Sequence, residues 1–164
     1  MKIAMACDHA GFDLKEDVKK LLSEQGHEVI DFGTMSTAAC DLPDTVYPAA
    51  LAVARGQAER GIFIDGVGYG SAMIANRILG LSAAVCQDPF CAMLARAHSN
   101  TNVLCLGAKI IGSAIAIETI RVWMSTDFLT DEKYQRRVGK VDDIAHRHLK
   151  PLEDTQGATY ATGK

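Results

Sequence analysis

The strongest constraint on the fold is a repeated alternation of short, uniformly apolar runs with helix-like patterns. Five apolar runs are predicted as strands, at 2–7, 27–33, 61–65, 81–86 and 102–107. Strands that are apolar along their whole length are typical of a parallel sheet that is covered on both faces. The alternation therefore predicts a single doubly wound α/β domain with a five-stranded parallel sheet.

Helical patterns fill the intervals between these runs. The predicted helices cover residues 11–25, 47–60, a stretch through Met73 to Ile78, 89–97 and 113–124. A further, charged helix over about 131–149 has no strand of its own and is predicted as an extra C-terminal helix. The tail at 150–164 lacks apolar periodicity and is predicted to be disordered, which leaves 1–149 as the domain.

Composition and charge exclude several classes of function. The formal net charge of −3 gives no electrostatic argument for nucleic acid binding or for attachment to a membrane surface. No apolar run reaches the roughly 20 residues that a membrane-spanning helix needs, and no signal-peptide pattern follows Met1. We therefore expect a cytoplasmic protein.

The cysteines and histidines predict neither a disulfide framework nor a metal site. The five cysteines are scattered without a CxxC pair, and the histidines lack the spacing of zinc ligands. Cys7, Cys86 and Cys105 lie in apolar runs, where a free cysteine usually behaves as a small core residue. We interpret these three as part of the core.

Polar side chains follow the predicted strands at the places where ligands are expected. In a doubly wound sheet, ligands bind beyond the carboxyl ends of the strands, near the point where the strand order reverses. The residues at these positions include Asp8, His9, Asp65 and Lys109. We therefore expect the binding site in these loops.

The loop GVGYGS, residues 66–71, is suited to an anion. Gly66, Gly68 and Gly70 let the backbone approach a ligand closely, and the first amides of the following helix are unpaired donors. Such a loop can hold a phosphate or the oxygen of an enediolate. Its glycine spacing does not match the dinucleotide fingerprint G-x-G-x-x-G. An acid about 20 residues further on, Asp88, keeps a nucleotide-binding module as a distant alternative.

Four motifs in order give the chain a family resemblance. They are CDHAGF at 7–12, DFGT at 31–34, GVGYG at 66–70 and HSNTNVLCLGAKIIG at 98–112. With these motifs, the chain resembles the ribose-5-phosphate isomerase B family, which includes the galactose-6-phosphate isomerase subunits. The resemblance implies a flavodoxin-like, Rossmann-like sheet and a cofactor-free isomerase that interconverts aldose and ketose phosphates through an enediolate.

The resemblance also implies an assembly. Members of the family form homodimers, often paired into tetramers, and their active sites lie at the boundary between subunits. The C-terminal helix of one subunit would then reach into its neighbour, which explains a terminal helix without a strand.

Particular residues receive roles from the same resemblance. His98 matches the histidine that opens the sugar ring, a step that needs a group titrating near neutral pH. The amides of the 66–71 loop would hold the enediolate oxygen. Asp8 and His9 match residues that contact the sugar hydroxyls and the phosphate end, and Asn100 is assigned to substrate binding.

Three basic residues are expected to hold the phosphate. Lys109 follows the fifth strand, and Lys133 and Arg137 lie on the last helix. Two of these positions carry lysine where the family usually has arginine, so they would supply point charges in place of bidentate hydrogen bonds. Without the resemblance, each would be interpreted as a solvated surface residue.

The chain departs from the family at the base that moves the proton. The family commonly has a cysteine at the end of strand three, or a glutamate just past the last loop glycine. Here these positions are Asp65 and Ser71, and Ser71 is assigned to the binding loop. A carboxylate can remove a proton next to a carbonyl, so Asp65 is the predicted catalytic base.

Other interpretations of this departure stay open. Asp65 can be structural and accept hydrogen bonds from the loop amides, with the base supplied from elsewhere or by a partner subunit. The protein can also bind a sugar phosphate without converting it. One type of galactose-6-phosphate isomerase subunit carries an aspartate at this position, so a subunit that needs a partner is a further alternative.

Overall fold

Five parallel strands form the centre of the protein in a computed structural model that describes residues 1–152. The strands are β1 (Lys2–Cys7), β2 (Glu28–Asp31), β3 (Arg60–Asp65), β4 (Ala83–Val85) and β5 (Val103–Gly107). They lie in the order β2-β1-β3-β5-β4, and every adjacent pair is parallel. The predicted five-stranded parallel sheet is therefore confirmed.

Six helices accompany the sheet within the described residues. They are α1 (Phe12–Glu24), α2 (Leu42–Ala54), α3 (Tyr69–Ala75), α4 (Pro89–Ala97), α5 (Ser113–Ser125) and α6 (Glu132–His148). Buried residues of α1, α4 and α5 pack on one face of the sheet, and those of α2 and α3 pack on the other. Both faces are covered, as strands of this composition require, so the doubly wound domain is confirmed.

The boundaries of several elements differ from the prediction. Helix α2 begins at Leu42 instead of Tyr47, with Pro43 in its first turn and Pro48 inside it. Proline is compatible with a first turn because the missing amide has no partner within the helix there. Helix α3 ends at Ala75 instead of Ile78, and the edge strands β2 and β4 are shorter than the apolar runs that predicted them.

Helix α6 is the predicted extra C-terminal helix, and it lies apart from both buried layers. None of its residues is buried, and the apolar side chains of Val141 and Ile144 are 61% and 52% exposed. The predicted disorder of the tail falls largely on residues 153–164, which lie outside the described residues. Between residues 1 and 152, no helix combines the length and apolar character needed to cross a membrane.

A buried ion pair joins α1 to the end of β2. Lys15 is fully buried, and its Nζ donates to the two carboxylate oxygens of Asp31 at 2.8 and 2.7 Å. Lys19 Nζ donates to the same carboxylate at 2.7 Å. Burial acts to raise the pKa of Asp31, but the hydrogen bonds from the two lysines outweigh it and hold that pKa below its usual value.

Replacing Asp31 with asparagine is expected to lower the free energy of unfolding by about 3 kcal/mol, because Lys15 would stay buried without its main charged partner. The depressed pKa also sets a pH window. The stabilisation is complete above the unfolded-state pKa of about 3.9 and is lost as the pH falls through the lower folded-state value. Urea unfolding of both proteins across this range measures the difference. Lys19→Met is the control, because it removes the more exposed of the two lysines and leaves the buried pair of Lys15 and Asp31 in place. A difference in stability between wild type and Asp31→Asn that does not change with pH would contradict the assignment.

Candidate functional site

The loops after β1, β3 and β5 meet at the carboxyl edge of the sheet. The amide of Asp8 donates to the carbonyl of Ile64 at 3.2 Å, and the amide of Lys109 donates to the carbonyl of Gly66 at 3.0 Å. The strand order reverses between β1 and β3, where ligands bind in doubly wound sheets. The structure thus brings Asp8, the exposed His9 beside it, the glycine loop and Lys109 to one edge.

The carboxylate of Asp65 lies inside the glycine loop and is only 3% exposed. One of its oxygens accepts hydrogen bonds from the amides of Val67 and Gly68 at 2.8 and 2.6 Å. The other accepts from the amide and the hydroxyl of Ser71 at 2.9 and 2.7 Å. Four donors therefore occupy the carboxylate, which is close to the number that its two oxygens can accept.

These bonds divide the loop amides into an inner and an outer set. The inner amides donate to the carboxylate and belong to Val67, Gly68 and Ser71. The outer amides do not bind it and belong to Gly66, Tyr69 and Gly70. Tyr69 and Gly70 open helix α3, so their amides lack the intrahelical partner that later amides have. An anion on the loop would therefore bind the outer amides.

Close packing fixes the loop against the sheet. Gly68 has a φ of +84°, and a Cβ there would lie 2.9 Å from Cγ1 of Val85. A Cβ on Gly107 would lie 2.8 Å from the backbone of Val67, so the loop rests directly on the end of β5. Neither position can accept a side chain without movement of the loop.

The cysteines near this edge are poor candidates for a base. Burial raises the pKa of the Cys7 thiol to about 11, that of Cys86 to about 12, and that of Cys105 well above its ordinary value. A thiol acts as a base or nucleophile only as the thiolate, which such values disfavour. All three are buried, so their predicted role in the core is confirmed.

His98 lies at the opposite end of the sheet. It is the C-cap residue of α4, directly after Ala97, and the turn that follows it leads into the amino end of β5. Gly61, near the start of the adjacent β3, donates to the carbonyl of Asn102 in that turn at 2.9 Å. Strand β5 alone spans about 13 Å between Val103 and Gly107. The imidazole and the 66–71 loop of one chain are therefore separated by the length of the sheet.

Helix α6 covers His98. The imidazole stacks on the ring of Tyr134, with ring centroids 4.4 Å apart and planes inclined by 14°. The cationic groups of Lys133 and Arg137 lie over the same ring at 4.8 and 5.9 Å from its centroid. His98, Tyr134 and Arg137 contribute to the lining of a groove of about 430 Å³. The structure thus brings His98 together with two of the three predicted phosphate ligands.

Asn100 and Tyr134 also lie near His98. Asn100 is exposed, with a φ of +49°, and its side-chain oxygen accepts a hydrogen bond from Arg96 at 3.1 Å. Tyr134 is absent from the residues predicted for the site. The sequence signal that could have identified it is an aromatic residue three positions before Arg137, and so on the same face of the charged last helix as a cation.

Residues 3–141 match the family model described as Ribose/Galactose Isomerase. The chain belongs to this family. It is 40% identical over 146 residues to ribose-5-phosphate isomerase B of Escherichia coli, covering 89% of this chain and 97% of that protein. It is 36% identical over 129 residues to D-erythrulose-4-phosphate isomerase of Pectobacterium atrosepticum, covering 78% and 85%.

A solved structure in the family agrees with the fold. Ribose-5-phosphate isomerase B of Clostridium thermocellum superposes with a TM-score of 0.87 at 37% identity, covering 90% of this chain and 99% of that one. Together with the family match, this confirms the predicted resemblance and the prediction of an enzyme that interconverts aldose and ketose phosphates.

Asp65→Asn separates the two roles considered for this residue. If Asp65 is an anchor, the substituted side chain would present an amide group to buried donors, so the free energy of unfolding should fall by about 2 kcal/mol and KM should rise. If Asp65 is also the base, the same loss of stability should come with a fall in kcat of several orders of magnitude, whereas an anchor alone should leave most of kcat at saturating substrate. Urea unfolding and steady-state kinetics on the same preparation distinguish them. Ser71→Ala removes only one of the four bonds and serves as the graded control.

Proposed function

We propose that this isomerase interconverts ribose 5-phosphate and ribulose 5-phosphate, or a closely related pentose, tetrose or hexose phosphate, in active sites shared between two copies of the chain. The observation that supports a shared site is the distance, within one chain, between the glycine loop and His98. The glycine loop lies at the carboxyl edge of the sheet, and His98 lies at the amino end.

The two ends carry different parts of the chemistry. The carboxyl-edge half comprises Asp8, His9, the 66–71 loop and Lys109. The His98 half comprises His98, Asn100, Lys133 and Arg137. The reaction requires ring opening, proton transfer, stabilisation of a negative oxygen and binding of phosphate. Because the ring-opening imidazole and the oxyanion donors belong to different halves, a complete site needs both halves from neighbouring copies.

Exposed apolar side chains support an assembly of copies. Tyr69 and Met73 on α3 are 58% and 57% exposed, beside the glycine loop, and α6 exposes Val141 and Ile144 to a similar extent. Burying such residues at a twofold interface would remove apolar surface from water at both ends of the proposed site. We therefore propose a homodimer as the smallest active unit.

In the proposed mechanism, His98 opens the sugar ring by transferring a proton between the ring oxygen and the anomeric hydroxyl. The outer amides of Gly66, Tyr69 and Gly70 hold the enediolate oxygen. Lys109, Lys133 and Arg137 neutralise the phosphate. The four hydrogen bonds on Asp65 favour its anchoring role, which leaves the transfer between C1 and C2 to a group outside the loop.

A panel of four- to six-carbon aldose phosphates, assayed with the purified chain alone, tests the substrate. We expect turnover of ribose 5-phosphate, and His98→Gln should lower that turnover by about 100-fold because general acid–base catalysis of ring opening is lost. Binding of sugar phosphates without conversion of any would instead favour a non-catalytic binding protein. Conversion of galactose 6-phosphate only after addition of another subunit would favour the partner-dependent alternative.

Mixing two inactive variants tests the shared site. Lys109→Glu damages the carboxyl-edge half, and His98→Gln damages the His98 half. In a mixed dimer, one site would carry both changes and the other site neither, so unfolding and refolding the variants together should restore about a quarter of wild-type activity. Mixing His98→Gln with Arg137→Ala, which lies in the same half, should restore none. Equal recovery in both mixtures, or no recovery in either, contradicts sharing.

A further inference from the structure

A buried arginine lies two residues before His98. Arg96 is 8% exposed, and its Nη1 donates to the carbonyl of Thr101 and to the side-chain oxygen of Asn100. Its Nε donates to the carbonyl of Thr126, just past the end of α5, at 3.4 Å. One guanidinium therefore ties the turn that follows His98 to the segment that leaves α5.

The indole of Trp123 binds the same turn. Trp123 is fully buried, and the guanidinium of Arg96 lies over its ring, 5.9 Å from the centroid. Its Nε1 donates to the hydroxyl of Thr101 at 3.0 Å, and that hydroxyl donates to the carbonyl of Ala95 at 3.1 Å. We call Arg96, Thr101, Trp123 and Thr126 the Arg96 junction.

The segment tied to Arg96 also leads to the residue that stacks on His98. Residues 126–131 connect α5 to α6, and the amide of Leu129 in this connection donates to the carbonyl of Ala97 at 3.0 Å. The connection delivers Tyr134, whose ring stacks on the imidazole. The Arg96 junction thus contacts both the segment that carries His98 and the segment that leads to its stacking partner, Tyr134.

A buried arginine is a costly residue at this position if its role is only to fill space. The hydrogen bonds of Arg96 end on two carbonyls and one side-chain amide, which are neutral acceptors. A second guanidinium, that of Arg60, lies 5.1 Å from the centroid of the same indole. Burial, reinforced by the charge of Arg60, lowers the pKa of Arg96. The charge of nearby Asp127 offsets only part of this cost, and none of the hydrogen bonds of Arg96 ends on a carboxylate. A buried cation of this kind is expensive, and an apolar residue would fill the same space. The directed hydrogen bonds are what an apolar residue could not supply.

We propose that Arg96 is a positioning residue, which fixes the turn after His98 and the 126–131 connection against each other. It thereby sets the orientation of the imidazole between its own helix and α6. The inference rests on the proposed role of His98 in opening the sugar ring. It assigns that orientation to a residue that need not touch the substrate.

The test compares a step that needs ring opening with one that does not. Ribose 5-phosphate is a closed ring, whereas ribulose 5-phosphate is acyclic because its O5 carries the phosphate. Arg96→Met should lower kcat/KM for ribose 5-phosphate by about tenfold or more, while solvent-deuterium exchange into ribulose 5-phosphate stays within about threefold of wild type. Arg96→Lys should recover part of the loss, since it keeps the charge and a donor nitrogen.

Arg60→Met is the matched control. Arg60 lies on the same indole and donates to the carbonyls of Trp123 and Met124 at 3.2 Å, but it has no hydrogen bond to the turn after His98. Its loss should lower the free energy of unfolding without changing the ratio of the two rates. Should Arg96→Met fail to fold, Trp123→Phe keeps a ring in the same place, removes the donor to Thr101 and should shift the ratio in the same direction.

The outcomes separate this inference from the proposed function. If His98→Gln shifts the ratio of the two rates while Arg96→Met and Trp123→Phe do not, the positioning role is wrong and the role of His98 stands. If His98→Gln leaves the ratio unchanged, the ring-opening role itself is wrong, and the positioning role falls with it. Equal shifts for Arg60→Met and Arg96→Met would also overturn the inference, because they would reflect damage to the indole alone.

Discussion

The loop on which a ligand would rest depends on one buried carboxylate. Asp65 gathers three amides and a hydroxyl, and no other feature of the loop directs so many of its groups to one point. A carboxylate stays buried when several donors are aimed at it, and here these donors belong to the loop itself. The carboxylate therefore determines which amides face inward, and it leaves the amides of Gly66, Tyr69 and Gly70 to other acceptors.

The direction of the strands places the predicted site residues in two separate groups. In a parallel sheet, every loop after a strand lies at one edge, and every turn that precedes a strand lies at the other. His98 precedes β5, whereas the glycine loop follows β3 and Lys109 follows β5. A short connection within one chain cannot bring the two sets together. Helix α6 lies with the His98 set and carries most of its charge on exposed side chains, which suits contact with a second surface.

Sequence patterns predicted most of the fold because burial on both faces leaves a clear mark on strand composition. They also located the residues of the carboxyl edge, since strand ends follow directly from strand positions. The strand order and the start of α2 escaped them, because neither is a local property of the chain. The sequence left the role of Asp65 open between a base and an anchor for a chemical reason. Both roles require the same carboxylate, and the hydrogen-bond partners that favour the anchor are visible only in the structure.

The position of Trp123 has a practical consequence. It is the only tryptophan in the chain, and it lies fully buried with the guanidinium groups of Arg60 and Arg96 over its ring. Intrinsic fluorescence excited at the red edge of protein absorption therefore comes from one site, next to the turn that follows His98. The emission of this indole can therefore report changes around the turn after His98 without an added label.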